Sequence, residues 1–322
     1  GEAYGGNGRN IVAFVKGNTK ERPLGFAAHM DQIEPCRNVN PVINGNIIST
    51  DKTTTLGGDD KAGISAIMEA VEDIIESGVP HRDIYLVFTC SEEISMMGTK
   101  HMDMSMLPCK ELVVVDATGG AETLAYKAPA MEAIEITFKG KKAHAGIEPE
   151  KGINAIVVAS KAISKMHIGR IDYETTSNIG HIEGGSATNI VTDEVTFTAE
   201  IRSHSMEKLA AEVAHMEQCC KEAVEEMGAC YEMKHEMAYP VLSLEEDCEL
   251  IQDTVNAMAE ERITANKMII GGGSDANVLA GHGYKSVILG CGMINVHTVE
   301  EALDTDETWK VTKVLRRLMG AE

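Results

Sequence analysis

Aromatic side chains are scarce in this 322-residue chain: one Trp, seven Tyr and five Phe. So few ring faces argue against a platform that stacks bases of single-stranded nucleic acid. Basic residues are in deficit too. Twenty-nine Lys and Arg stand against 50 Asp and Glu, a net charge of −21 and a pI near 4.9. Such a surface repels phosphate backbones and anionic lipid, so neither nucleic acid nor membrane is an expected partner, while cations are welcome. No apolar run approaches the roughly 18 residues that cross a bilayer. The N-terminus has no basic stretch followed by an apolar one, so no secretory signal is read. Gly1 in place of Met reads as processing or truncation. The cysteines, Cys36, Cys90, Cys109, Cys219, Cys220, Cys230, Cys248 and Cys291, form no CxxC pair and no regular spacing. That pattern predicts reduced thiols in a cytoplasm, not a disulfide framework. What is present is ordinary for a folded protein: 43% hydrophobic and 25% charged residues,. The length suggests about two domains.

The first third alternates apolar runs with helical periodicity. Residues 10–15 and 24–29 read as short strands. Residues 61–77 read as a helix, with Ile64, Ile67, Met68, Val71, Ile74 and Ile75 three and four apart,. Residues 83–90 and 112–116 are apolar on both faces, as in a sheet covered by helices. The pattern then changes. Residues 132–139, 177–183, 194–202 and 230–237 alternate, which leaves one face wet. Helices are expected at 152–166 and 206–227. The order β-α-β-β-α-β is that of a ferredoxin-like unit. The α/β pattern returns from about 247, with a helix to about 261, a strand at 286–289 and a helix at 308–319. The expectation is an α/β domain, 1–128 and 239–322, interrupted by an α+β unit at 129–238.

Several strand ends finish on residues that bind metals. Residues 24–28 lead into His29-Met30-Asp31, and alternation points His29 and Asp31 the same way. A carboxylate behind an imidazole can hold its second N–H. A Gly57-Gly58-Asp59-Asp60 turn enters a helix, where an Asp is equally a plain cap. The strand at 83–90 runs into Ser91-Glu92-Glu93. Adjacent carboxylates repel and rise in pKa without a cation; aimed differently, one can bind metal while the other reaches a water. Asp116 ends another strand, and His297 follows a glycine-rich turn. Taken singly, each has a bland reading as a loop residue or cap. Together, at the carboxyl ends of strands in one open sheet, they converge on one crevice. Two His with three or four carboxylates fit a pair of Zn2+-like ions sharing a carboxylate, and Co2+ or Mn2+ suits the same donors.

These residues carry a resemblance. The stretches FAAHMDQIEP, TTLGGDDKAGISAI, FTCSEEISMMGTK, VVVDATG, GKKAHAGIEPEKGINAI, NIGHIEGGSATNIVTDEVTFTAEIRS and GGGSDANVL…NVHTVEE span most of the chain. In that order the chain resembles peptidase T and its relatives. These belong to a di-zinc superfamily that also holds carboxypeptidase G-type enzymes, carnosinases and succinyl-diaminopimelate desuccinylase.

The resemblance implies an α/β/α sandwich with an inserted ferredoxin-like lid and dimerisation domain. It implies one zinc on His29, Asp59 and Asp116 and another on Asp59, Glu93 and His297. Asp59 would bridge, with a cis bond to Asp60. Asp31 would orient His29, and Glu92 would be general base and then acid. His144 would stabilise the oxyanion, from the same or a neighbouring subunit, and Asn189, Arg202 and Ser274 would touch substrate. Read alone, His144 is equally a surface histidine and Arg202 equally a strand-face ion pair. Relatives carry several tens of residues before the strand that ends in His29. Only 28 precede it here, so most of that segment is expected to be missing. The leading expectation is an aminopeptidase acting on tripeptides, cytoplasmic and homodimeric. An N-acyl amino acid amidohydrolase or a dipeptidase would use the same centre, and a non-catalytic metal-binding scaffold would have lost part of it. A related di-zinc aminopeptidase family inserts its extra domain between the HxD pair and the bridging Asp, which the 30 residues available here argue against.

Overall fold

The computed structural model describes residues 1–320. Two compact units emerge: Gly1–Ala128 together with the chain from Leu242 onward, and Pro129–Val241 between them.

The first unit opens with β1 (Ile11–Val15), β2 (Leu24–His29), the hairpin β3 (Pro41–Asn44) and β4 (Ile47–Thr50), and α1 (Gly58–Ser77). β5 (Ile84–Thr89), α2 (Met97–Lys100), β6 (Glu111–Thr118) and β7 (Thr123–Ala128) follow. The second unit supplies β8 (Ala130–Lys139), α3 (Ala155–Ile163), β9 (Gly169–Arg170), β10 (Thr175–Gly184), β11 (Glu194–Ser203), α4 (Met206–Met227) and β12 (Cys230–Tyr239). The first unit resumes with β13 (Leu242–Ser243), α5 (Glu249–Glu260), β14 (Asn266–Ile269) and α6 (Asp275–Gly281). It ends with β15 (Lys285–Ile294), β16 (Ala302–Asp304) and α7 (Thr305–Leu318).

The large sheet runs β1-β5-β2-β6-β15-β16-β4-β3, with β7 pairing β13, β14 and β15. β5, β2, β6 and β15 are parallel, and β1 is an antiparallel edge. Alternate side chains feed opposite layers. Phe26, Ala28, Val113 and Val115 join the core beneath α1, α5 and α7, and Ala27, Leu112 and Val114 join Ala276 and Leu279 of α6 on the other face. Burial on both faces is why these strands read as unbroken apolar runs. The unit is an α/β/α sandwich. Gly63 lets α1 press onto β6, since a Cβ there would lie 2.1 Å from the carbonyl oxygen of Val115.

The second unit is an antiparallel sheet of order β12-β8-β11-β10-β9. Its four long strands follow the ferredoxin-like arrangement. One face is covered by α3 and α4, around Phe138, Phe197, Ile201, Leu209 and Met216. α3 is shorter than the sequence pattern predicts. Ile153 bridges Lys141, and Asn154 caps the helix by accepting from the amides of Ile156 and Val157, so the first turn cannot start earlier,.

Candidate metal centre

β2, β5 and β6 run parallel, so their carboxyl ends open on one edge of the sheet. β2 ends in His29, which is 2% exposed. The chain after β5 turns at Ser91, at φ 60°, and delivers Glu92 and Glu93. β6 carries Asp116, and the entry to α1 carries Asp59 and Asp60, joined by a cis peptide bond. Gly57 precedes them at φ 76°, a conformation costly for any side chain,. His297 comes from the loop between β15 and β16.

Five of the side chains singled out in the sequence meet here. Nε2 of His29 is 2.9 Å from Oδ1 of Asp59 and 3.7 Å from Oδ1 of Asp116. Nε2 of His297 is 3.2 Å from Oδ2 of Asp59 and 3.0 Å from Oε2 of Glu93. The two oxygens of Asp59 thus face different imidazoles. Asp31 lies behind: its oxygens accept from the amides of Glu92 and Glu93 at 3.0 and 3.1 Å, and Oδ1 is 3.4 Å from Nδ1 of His29. That contact is out of hydrogen-bond alignment and leaves a buried ring nitrogen orphaned.

Three further residues complete the frame: Glu301 and Asp275, not picked out by sequence, and Asp60, which the sequence marked only as the neighbour of Asp59. Glu301 is buried, and its carboxylate accepts from the amides of Leu56, Gly57 and Asp59 at 2.6, 2.9 and 2.9 Å, which moulds the turn that presents Asp59. Asp60 accepts from the amides of His29 and Gly63. Asp275 accepts from the hydroxyls of Thr89 and Thr99. None of the three has a telling spacing. Each acts through amides or hydroxyls that only the folded chain brings near. Their signal in sequence is that Glu301, Asp275 and Asp60 fall inside the NVHTVEE, GGGSDANVL and TTLGGDDKAGISAI stretches.

The electrostatics follow from this crowding. Burial, then the charges of Asp116 and Asp275, push Glu92 well above the ordinary carboxylate range. Burial and Asp59 raise Glu93; burial and Asp60 raise Asp116. Burial opposes charge on His29, but Asp31 and Asp59 outweigh it and its pKa rises. Burial also works against the Asp31 carboxylate, yet His29 and the Glu92 amide hold it below its usual value. Acids that raise one another's pKa, gathered around Nε2 of His29 and of His297, form a donor set short of positive charge. Divalent cations fit that deficit. Ligating atoms of His29, Asp59 and Glu93, and of His29, Asp60 and Asp116, lie within 4.8 Å of one another. The cavity beside them, about 480 Å3, is bounded by His29, Asp59, Glu92, Asp116, His297 and the 268–273 loop.

Residues 131–228 match the peptidase dimerisation domain, and residues 39–147 match the M42 glutamyl aminopeptidase domain. Uncharacterized protein YqjE of Bacillus subtilis is 40% identical over 306 residues, covering 95% of this chain and 82% of that protein. The aminopeptidase PepT of Bacillus cereus superposes with a TM-score of 0.91 at 35% identity, over 99% of this chain and 86% of that one. A tripeptidase of Staphylococcus aureus gives 0.93 at 34%, over 96% and 83%. The chain belongs to the peptidase T-like family of M20 peptidases.

In this M20 peptidase only the β3–β4 hairpin separates Asp31 from Asp59, and the inserted unit follows Asp116. His144, Asn189 and Arg202 all belong to that unit. His144 and Asn189 are exposed neighbours: Ala145 donates its amide to the carbonyl of Asn189 at 3.0 Å, and His144 bridges Ile190. Arg202 holds Glu200 of its own strand with two bonds of 2.9 and 3.0 Å. Ser274 has a structural task. It is 3% exposed, and its Oγ caps α6 by accepting from the amide of Ala276 at 3.2 Å.

Proposed function

We propose that this chain is a two-metal aminopeptidase of the cytoplasm that removes the N-terminal residue of short peptides, tripeptides foremost. The observation that carries the reading is Asp59, whose two oxygens face His29 and His297. His29, Asp59 and Asp116 would hold one Zn2+, and Asp59, Glu93 and His297 the other. When bound, such ions acidify a water and polarise the scissile carbonyl.

The chain's own residues do the rest. Glu92 lines the cavity and is held by its backbone on Asp31. It takes the proton of the attacking water and returns it to the leaving amine. Burial and the neighbouring acids raise its pKa, the direction a group that takes up and returns a proton needs,. Asp31 fixes the loop that carries Glu92 and stands behind the ring of His29, which it would orient once an ion holds Nε2,. His144 donates to the oxyanion. Asn189 and Arg202 grip the peptide, and Arg202 exchanges Glu200 for a substrate carboxylate, since its planar fork suits either. The match to a dimerisation domain supports a homodimer formed through the inserted unit. Eight free thiols support a reducing compartment,, and among the described residues no helix is long and apolar enough to cross a membrane.

The test is release of the N-terminal residue from Ala-Ala, Ala-Ala-Ala, an acetylated tripeptide and an N-acetyl amino acid by Zn2+-loaded protein, beside Glu92→Gln. Turnover of the free-amine tripeptide, lost in the variant, is the expected result. Turnover of the N-acyl amino acid in its place would move the enzyme to the deacylases. Turnover of none, with two ions bound, would sink the catalytic reading.

A further inference from the structure

α4 is amphipathic, and its buried stripe of Leu209, Val213, Met216, Cys220 and Ala223 is interrupted by an acid, Glu212, only 7% exposed. Burying a carboxylate is costly unless something of opposite charge or a full set of donors compensates. Here compensation is half complete. Oε2 of Glu212 is 3.2 Å from Nδ1 of His167, but Oε1 is fully buried and has no hydrogen-bond partner. His167 comes from the loop between α3 and β9. Its ring stacks on that of His215, with centroids 4.0 Å apart and planes 12° from parallel. His215 is three residues along α4 from Glu212, on the same helix face. Its Nε2 lies 3.2 Å from the carbonyl oxygen of Lys165 and 3.6 Å from Sγ of Cys219. A carbonyl holding one ring nitrogen is the outer support that metal-binding imidazoles usually have. One ligating atom each from His167, Glu212 and His215 lies within 4.8 Å of the others.

We propose that His167, Glu212 and His215 form a third metal site, separate from the strand-end centre, for one divalent transition-metal ion. Two imidazoles and a carboxylate are a donor set for Zn2+, Co2+ or Ni2+ and a poor one for Mg2+ or Ca2+, which take oxygen. Donors of a tetrahedral zinc stand about 3.3 Å apart. Closing to that spacing takes rotation of the His167 side chain, which is 56% exposed and would exchange its stacking on His215 for the ion. The ion satisfies the orphaned oxygen of Glu212 and ties the α3–β9 loop to α4. The site shares no residue with the strand-end centre.

The probe is Zn2+ on the full chain. Bound zinc per chain is counted by elemental mass spectrometry after dialysis against buffered Zn2+, for the wild type, His167→Ala and Glu212→Gln. The wild type should hold one zinc more than either variant, whatever number the strand-end centre holds, and the variants should keep the wild-type peptide turnover. Zinc should also raise the Tm of the wild type above that of His167→Ala. Because His167 is exposed, its substitution spares the core and guards against a folding failure of Glu212→Gln. An equal zinc count in wild type and folded His167→Ala overturns the proposal.

Discussion

The catalytic unit gathers Asp59, Asp60, Glu93, Asp116 and Asp275 as buried carboxylates around a single buried imidazole. The inserted unit spreads its acids over the surface and pairs them with lysines: Lys139 with Glu232, Lys161 with Glu226, Lys165 with Glu222, Lys208 with Asp172. The residue types are the same and the physics differs. An exposed pair contributes 1 kcal/mol or less, so the second group tunes solubility more than stability. A buried cluster of like charge destabilises the fold that holds it unless cations arrive, so its persistence marks function. Glu212 is the exception within the inserted unit, and it draws attention for the same reason.

This contrast can be broken most sharply at Glu92. Glu92→Gln should lower kcat by about 10²–10⁴-fold while metal content stays at the wild-type level; loss of metal along with activity would make Glu92 a ligand instead of a base. Next comes the support of the cluster. Glu301→Gln puts an NH2 against three amide donors, and should weaken metal affinity by about 10–100-fold in a metal-buffer titration, with the circular dichroism spectrum unchanged. The inserted unit should respond in stability. Phe197→Ala, in its dry core, should cost about 3–5 kcal/mol in urea unfolding and leave the metal affinity of the strand-end cluster as it was,. The smallest effect lies at the surface. Hydrogen bonds from Lys208 and the Glu174 amide hold Asp172 down at about 2, from an ordinary value of 3.8. A lowered carboxylate stabilises above its unfolded pKa, and that contribution fades as pH falls from about 4 to about 2. Melting curves of Lys208→Met should therefore differ slightly from wild type at pH 6 and converge with it at pH 2.

Much of this was legible in sequence because the layers impose period. β2, β5 and β6 are covered on both faces, so they stand out as apolar runs, and the acids at their ends stand out by contrast. β8, β10, β11 and β12 have one wet face and alternate. The β3–β4 hairpin carries its own signal, the Gly45-Asn46 turn, but its strands are only four residues each and set Val42 next to Ile43 and Ile47 next to Ile48 along the chain instead of alternating,. β14 and β16 are shorter than one full alternation cycle on each face. Glu301 and Asp275 were silent because their partners are backbone amides and hydroxyls scattered along the chain. Ser274 illustrates the converse: a motif residue whose hydroxyl the fold spends on a helix cap.

The order of synthesis gains meaning from the place of β15. β15 fills the middle of the large sheet, beside β6, yet it is made only after the whole inserted unit. His297 and Glu301 follow later still. Folding proceeds from the N-terminus as the chain leaves the ribosome. The inserted unit is continuous and can finish early, while β6 waits with one edge unpaired. A nascent chain thus holds a completed insert and half a catalytic crevice. The strand-end cluster stays incomplete until the segment that bears His297 has emerged as well, long after the insert has closed on its own core.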